Sequence, residues 1–479
     1  MLLLLALLGA APASALERVR GVVHVHSDLS TGDFSLEALV GLADQQGIGA
    51  LLLSENFLAR VDYALPPFRA LTRVSREERG VAGDPARYLA RVAEVRARLP
   101  HVILVPGVEV VPHYYWTGSP FALDMTVHDV QKNLLVFGLT DPQALAALPV
   151  AGNARGGTYG AQSLVDAAPA LLVIPGLALI VRRRAVRKRL GRGAVVVVQR
   201  RAWALGLILC GLGVAAVARG WPFTSHGLST WHDQGIAPYQ ALIDHVDAAG
   251  GITMWSLPEA RDIGEQYVGP VRVGWLTEPY ADDLLRTFRY TAFGAVYEDT
   301  STFDAPGGGW DRLLAEYARG ERSRPAWAMA ESAFHNHTAG KQVGPIQTVF
   351  LATEKTEAGI LDALRRGRMY ALQRTRELGF DLTEFSATAG GVTVGMGETL
   401  RAPAGTPIEV RLALDASDGG RHDVKVSVLR NGRLAVLERT ATPYRGVVRE
   451  VGDGTPLVLR VEARGAGQRV LSNPIFVKP

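Results

Sequence analysis

Between Val19 and Leu139, short apolar runs alternate with stretches whose apolar residues recur at helical spacing. GVVHVH (21–26) reads as a strand ending in a polar turn. SLEALVGLADQQG (35–47) has apolar positions at helical spacing and Gly47 as a stop signal. GALLLSEN (49–56) is a second buried strand, ARYLARVAEVRARLP (86–100) another helix and HVILVPGVEV (101–110) another strand. The rhythm resumes with a helix over APYQALIDHVDAAGG (237–251) and strands over ITMWSLP (252–258) and TAFGAVYE (291–298). A helix over GWDRLLAEYARGE (309–321), a strand over PAWAMAESAFH (325–335) and a last helix over KTEAGILDALRRGRMYAL (355–372) complete it. Such alternation predicts a parallel sheet or barrel. Beyond Gly379 the pattern changes to short strands separated by turn residues, which predicts a small antiparallel β-sandwich over 379–479.

Three segments are apolar in a different way. LLLLALLGAAPASA (2–15) ends in small residues, as a signal peptide cleaved after Ala15 would, so 1–15 is expected to be removed. Ala167–Val181 and Ala202–Ala218 are apolar throughout, each shorter than the roughly 20 residues of a full span. The intervening RRRAVRKRLGR contributes to nine Lys/Arg between Arg182 and Arg201. A pair of core helices would show the same apolar runs but rarely so basic a connection. The segment 164–220 is therefore expected to be a two-helix transmembrane hairpin in contact with lipid, its solvated basic loop in the cytoplasm. Both flanks, 16–163 and 221–378 with the β-sandwich that follows to 479, then lie on the extracytoplasmic side of the cytoplasmic membrane.

Composition changes this picture little. The chain is 48% hydrophobic and 20% charged, which excludes a disordered protein. Its net charge of +4 arises from the basic segment, and the remainder is slightly acidic, so no nucleic-acid partner is expected. The single cysteine, Cys210, permits no intramolecular disulfide.

The candidate chemistry starts at His24-Val25-His26. Residues i and i+2 of a strand share a face, so both imidazoles can meet one ion at the strand's C-terminal end. A pair of packed histidines reads the same way, and context decides between them. GVVHVHSDLSTGDFSLEALVGLADQQGIGALLLSENF resembles the opening of the PHP (polymerase and histidinol phosphatase) superfamily of metallohydrolases, where an HxH-S-x-x-S-D-G segment leads to a helix and then a strand ending in T-D-H. Gly107-Val108-Glu109 matches the family's G-x-E. DAAGGITMWSLPEA resembles its A-G-G-x-x-x-x-A-H-P element, AESAFHN its S-D-x-H element, and GILDALRRGRMYAL its closing helix. SNPIFV is similar to the last strand of an appended β-domain. The resemblance covers roughly 19–140 and 236–376.

It implies a distorted (β/α)7 barrel, interrupted here by the hairpin, with up to three divalent metals and hydrolysis of phosphoesters or, in one branch, other esters. It also implies a metal site at His24, His26, Glu109 and His335, with Glu109 in a catalytic, ion-bridging role. Several family positions have lost their ligands: T-D-H reads Ser54-Glu55-Asn56, A-H-P reads Ser256-Leu257-Pro258, and D-x-H reads Ala333-Phe334-His335. S-D-G reads Ser30-Thr31-Gly32 with Asp33 one position late, and a mid-domain histidine is missing from Gln131-Lys132-Asn133. Leucine cannot ligate a metal and asparagine is a poor ligand for zinc-like ions. The expectation is therefore one or two zinc or manganese ions, with Asp33, Glu55, His113, Glu331 and His337 as possible additional ligands. Glu331, four residues before His335, would share its face if that segment were a strand. Two functions follow: an exported, membrane-tethered hydrolase of a small ester or phosphoester, or a catalytically inactive PHP-like domain that binds a ligand or partner at the outer membrane face.

Overall fold

The computed structural model describes residues 16–191, 194–224, 230–299 and 301–479; the signal-peptide segment 1–15 lies outside them. Eleven strands position the site: β1 Glu17–Val25, β2 Ala50–Leu53, β3 Glu55–Asn56, β4 Ile103–Val105, β5 Gly107–Val110, β6 Leu134–Phe137, β7 Ile252–Trp255, β8 Ala292–Val296, β9 Trp327–Ala330, β10 Ile346–Ala352 and β11 Met369–Gln373. Their runs of Val, Leu and Ile suit a pleated surface covered on both faces. Val22, Val23 and Val25 are fully buried, as is all of β2. Helices cover the strands. Leu36–Gln45 is capped by Ser35 Oγ, which accepts from Ala38 N–H, and turns Leu36, Leu39, Val40 and Ala43 inward. Pro85–Arg98 starts with Pro at its first position and is capped by Asp84.

One sheet runs β11-β10-β1-β2-β4 and the other β9-β8-β7-β6-β5-β3. They are linked where β2 kinks into β3 across Ser54 and β4 into β5 across Pro106. At the other edge, Ser332 and Phe334 N–H donate to Val23 and His24 carbonyls, and His26 N–H donates back to Phe334. The hydrogen-bonded path from β1 through both sheets thus returns to β1. It is not all parallel, contrary to the expectation from the alternating pattern. β6 runs antiparallel to both β5 and β7, and β10 antiparallel to β1 and β11. The reason for β6 is local: between Val110 and Leu134 the chain makes the β-hairpin Tyr115–Ser119/Asp124–His128 rather than a crossover helix, so it re-enters from the end it left.

Two further hairpins leave the same end of the strands. Arg60–Tyr63/Val74–Glu77 follows β3, and Asp262–Val268/Val271–Thr277 follows β7. The second of these joins the hairpin after β5 in a four-stranded sheet. Tyr114, Trp116, Met125 and Val127 form a small apolar cluster there, with Tyr63 and Trp275 packed against it.

Two helices are long and apolar enough to cross a membrane, Ala161–Val181 and Trp203–Gly220. The first extends upstream of the expected start, through a 3-10 stretch at Ala168–Leu172 that accommodates Pro169. The pair packs through small residues. A Cβ on Gly206 would lie 2.6 Å from the Gly176 carbonyl oxygen, so glycine is what permits this approach. Leu171, Ile174, Leu207, Ile208 and Val214 remain exposed on the outside. The connection is not the plain loop expected. Arg184–Leu190 and Ala194–Arg200 pair as an antiparallel hairpin, for which the β-branched run Val195–Val198 accounts.

The C-terminal segment consists of strands. Phe380–Ala389, Pro407–Ala416, Tyr444–Val451 and Val392–Val394 make one sheet. Its partner layer is continuous with the sheet that holds β1, since Gln468–Ser472 pairs with β11, Tyr370 opposite Ser472. Buried Arg460 adds to the join. It makes two hydrogen bonds to Asp311 of the helix Gly309–Ala318, at 2.8 and 2.7 Å, and its guanidinium stands 4.9 Å from the Trp310 ring centre. The whole is an α/β architecture carrying an added β segment.

Candidate metal centre

The end of β1 departs from regular strand geometry. Val23 pairs with Leu52 and Val25 with Leu53, so His24 is an inserted residue, with a φ of +68°. Left-handed backbone is uncommon for a non-glycine residue and costs of order 1–3 kcal/mol. This bulge, rather than simple strand alternation, lets the two imidazoles converge. His24 Nε2 and His26 Nε2 are 3.1 Å apart. Glu109, in β5, reaches both: its Oε1 is 3.2 Å from His24 Nε2 and its Oε2 3.4 Å from His26 Nε2. Gly107, at the β4–β5 kink, makes this possible, because a Cβ there would lie 2.4 Å from the Phe137 ring and 2.5 Å from the Leu53 carbonyl oxygen.

The donor set and its spacing fit a metal ion. Two ligands on a tetrahedral zinc, with bonds of about 2.0–2.1 Å, stand roughly 3.3 Å apart. The outer nitrogens are tied down as a ligating histidine requires. His24 Nδ1 lies 3.1 Å from Glu331 Oε2 and 3.2 Å from Ser256 Oγ, and Ser256 Oγ donates to the same carboxylate at 2.8 Å. His26 Nδ1 is 3.4 Å from Ser30 Oγ, which donates to Glu55, and Glu55 is held in turn by Ser27 Oγ at 2.5 Å and Ser27 N–H at 2.9 Å. Acceptors at both Nδ1 atoms direct both Nε2 lone pairs to the common point. Asn133 Nδ2 donates to Glu109, while Asn133 Oδ1 is buried without a partner. Gly294, in β8, leaves room for Glu331, whose Oε1 would be 1.6 Å from a Cβ at that position.

Electrostatics follow from burial and these pairings. Burial disfavours a charged His24, but the Glu109 and Glu331 carboxylates outweigh it and raise its pKa to about 9. Burial drives His26 well below its ordinary range despite Glu109, and the neighbouring His24 charge adds to the effect. Burial would raise Glu109, yet His24 and His26 bring it down to about 2. Glu55 is pushed up to about 7 by burial, in part offset by its serine donors. In the absence of an ion, a proton on His24 supplies the positive charge that balances Glu109.

Among the described residues, His24, His26 and Glu109 are the group whose ligand atoms converge. His335 lies beside it: its ring stacks on His26 with centres 3.9 Å apart, and its Nδ1 is 3.1 Å from Thr31 Oγ1. Glu55 and Glu331 are buried supports of His26 and His24 and stand outside the converging group. The strand geometry expected for Glu331 is absent, because β9 stops at Ala330 and Ala333, with φ +46°, turns the chain. Asp33 is exposed and takes part through its N–H, which donates to the His335 carbonyl. His113 is buried outside the group with its Nε2 unpartnered, and His337 is exposed with its Nδ1 3.0 Å from the Lys341 carbonyl oxygen.

The residues at positions where the resemblance would place further ligands still shape the site. Asn56 donates to Thr31 Oγ1, and Leu257, at φ +42°, donates its N–H to Glu331 Oε1 at 2.5 Å. His24, Leu257 and Ala333 concentrate left-handed backbone around one cluster. Sequence reasoning missed the roles of Asn133, Ser256, Ser30 and Gly294. Only Gly294, a glycine inside an otherwise β-prone run, carried a signal, that of a close approach.

No family profile matches the sequence, and no curated protein matches it. Among solved structures, the chain is similar to a two-domain protein from Bacteroides vulgatus containing a predicted PHP-like metal-dependent phosphoesterase, at 11% identity over 93% of this chain and 91% of that one, with a TM-score of 0.35. A candidate metal-dependent phosphoesterase from Bifidobacterium adolescentis aligns at 12% identity over 68% of this chain and 90% of that one, with a TM-score of 0.30. Neither likeness is close enough to bear on function.

Proposed function

We propose that the protein is a PHP-type metal-dependent hydrolase of a phosphoester or related ester, tethered by the helix pair within 164–220 with its main domains on the extracytoplasmic side. The observation that carries this is the convergence of His24 Nε2, His26 Nε2 and Glu109 at 3.1–3.4 Å, with both outer nitrogens tied to acceptors. His24, His26 and Glu109 would hold a zinc or manganese ion, and His335 stands where it could serve a second. Such an ion polarises the substrate and lowers the pKa of water to near neutrality. Glu109 stays ionised across the physiological range and so offers a carboxylate to that chemistry at all working pH values. Glu331 and Ser256 hold His24 in one orientation, Ser30 and Glu55 hold His26, and Asn133 holds Glu109. The tether is supported by helix length, by outward-facing apolar side chains and by the basic connection.

A second reading is a silent metal- or ligand-binding domain, favoured by Leu257 and Ala333 standing where further donors would be needed. The experiment is elemental analysis of protein purified without chelator and offered zinc or manganese, together with a phosphoesterase screen. The wild type should bind one ion and His26→Ala should lose it, by far more than the roughly 10–100-fold that an outer contact costs. Wild-type protein that binds no metal would sink both the site and the hydrolase. Metal without turnover would leave the silent domain.

A further inference from the structure

We propose that the mouth of the metal site rests on the bilayer surface, and that the substrate is a membrane-borne amphiphile presenting a headgroup phosphoester. This rests on the hydrolase and tether readings above and adds to them the substrate class.

His24, His26 and Glu109 lie at the end of the strands from which all three outward hairpins depart, after β3, β5 and β7. The hairpins therefore surround the end of the strands at which these donors lie, and this end, where Glu109 is half-buried rather than buried, is the mouth of the site. The hairpins are joined to one another: Arg76 Nη1 donates to Gln266 at 3.2 Å, and Arg272 N–H donates to the Leu123 carbonyl at 2.9 Å. The tip of the first hairpin, residues 64–73, also meets the second apolar helix, where a Cβ on Gly220 would lie 3.3 Å from Ala70 Cβ. Thr224 Oγ1, just beyond that helix, donates to the Ala154 carbonyl. The apolar helices thus enter the domain beside the mouth.

Two further features set the level of the bilayer. Exposed Trp203 and Trp221 flank the second helix, 18 residues apart or about 27 Å along a helix, close to the thickness of a hydrocarbon core. Tryptophan favours both membrane interfaces, so Trp221 marks the domain side. The rim tips then carry what an interfacial surface needs. Phe121 is 80% exposed and Tyr267 67%, with Leu123 and Val268 exposed beside them. Large apolar side chains exposed on a rim that also meets an apolar helix at Ala70 are matched by a bilayer rather than by water.

A soluble substrate would gain nothing from this arrangement, whereas a lipid headgroup would be delivered to the ion site at high local concentration. The reaction is hydrolysis. Water oxygen bonds to phosphorus, the P–O bond to the lipid breaks, and the proton from water passes to the departing alkoxide, leaving a lipid alcohol and phosphate.

The test uses the full chain, loaded with zinc or manganese, in phosphatidylcholine vesicles. A fluorophore on Tyr267→Cys in a Cys210→Ala background should be quenched by nitroxide-bearing lipid, whereas one on Val447→Cys in the C-terminal sheet should not. Hydrolysis of long-chain phosphatidic acid in the vesicles should exceed that of its water-soluble dibutyryl analogue by about tenfold or more in kcat/KM, and the ratio should fall in Phe121→Ser/Tyr267→Ser. A Tyr267 label no better quenched than the Val447 label overturns the placement. Equal or faster turnover of the soluble analogue, or turnover of p-nitrophenyl phosphate but of neither lipid, overturns the substrate class and leaves the hydrolase standing. Failure to turn over any of the three removes the hydrolase reading and the substrate class with it.

Discussion

Replacing Glu331 by glutamine tests the orientation of His24 with little change of volume. The carboxylate accepts on both sides: Oε1 from Leu257 N–H, Oε2 from Ser256 Oγ and His24 Nδ1. An amide has one oxygen to offer. If its NH2 faces Leu257, two buried donors meet without an acceptor, at about 1–3 kcal/mol. If its NH2 faces His24, both partners are kept provided Ser256 Oγ turns to accept from the amide and the ring accepts at Nδ1, carrying its proton on Nε2. The second arrangement therefore wins, and it aims an N–H where an ion would need a lone pair. The loss in metal affinity should reach the upper part of the range for outer contacts, toward about 100-fold or ~2.7 kcal/mol. Titration against a chromophoric zinc chelator measures the affinity, and imidazole 15N shifts of the metal-free protein, taken above about pH 9 where the ring has lost its second proton, report the tautomer. Affinity within about twofold of wild type, or a neutral ring that still carries its proton on Nδ1 above about pH 9, would show that Glu331 does not set the orientation of His24.

Other outcomes follow from the same geometry. Gly294→Ala introduces a carbon 1.6 Å from the present Glu331 Oε1, so thermal unfolding should show a loss of about 1–3 kcal/mol and zinc binding should weaken together with it. An ion must displace the His24 proton, whose pKa is about 9, so apparent metal affinity should rise roughly tenfold per pH unit toward pH 9 and level off above it; a flat profile from pH 6 to 9 would contradict this. Because the folded His24 pKa is raised, its contribution to the metal-free protein is complete below about pH 6.5 and fades as pH climbs through about 9, so the melting temperature of the metal-free protein should drop over that window. A reporter active only in the cytoplasm should give signal when fused after Gly191 and none after Pro479; the reverse would overturn the tether topology.

The converging trio His24, His26 and Glu109 was legible because each member ends a strand or follows its glycine kink, and strand ends can be read from apolar runs. The reason that the trio converges was not legible. No glycine announces the bulge at His24, and its backbone is set by β2 on one side and residues 332–334 on the other, more than 300 positions downstream. Glu331 was found by a strand argument that fails after Ala330, since it is the turn at Ala333 that orders this segment. Direction in the sheet was also hidden. A strand's apolar pattern is the same in both directions, and what reverses β6 is the hairpin before it. The basic connection read as a loop because its charge masked the run of valines that pairs it. The neutral partners Asn133, Ser256 and Ser30 leave no periodic or charge signature, so only their positions in the folded site reveal their work.

The pairing of β1 bears on how the molecule can be made. Glu17–Gly21 finds its partner at Thr348–Ala352, and the remaining edge of β1 is engaged by residues 332–334. A chain emerging from its N-terminus therefore completes β2, β4, β5 and β6 while β1 still presents a bare edge and β6 awaits β7. The two apolar helices must appear before either edge is covered. Loop closure across such separations is slow, and bare edges are templates for pairing with other chains. The intermediate most exposed to aggregation is thus one with the first half finished and the second still undelivered. Stop codons or proteolytic cuts between the second apolar helix and β7 should accordingly yield insoluble material rather than a half-functional fragment.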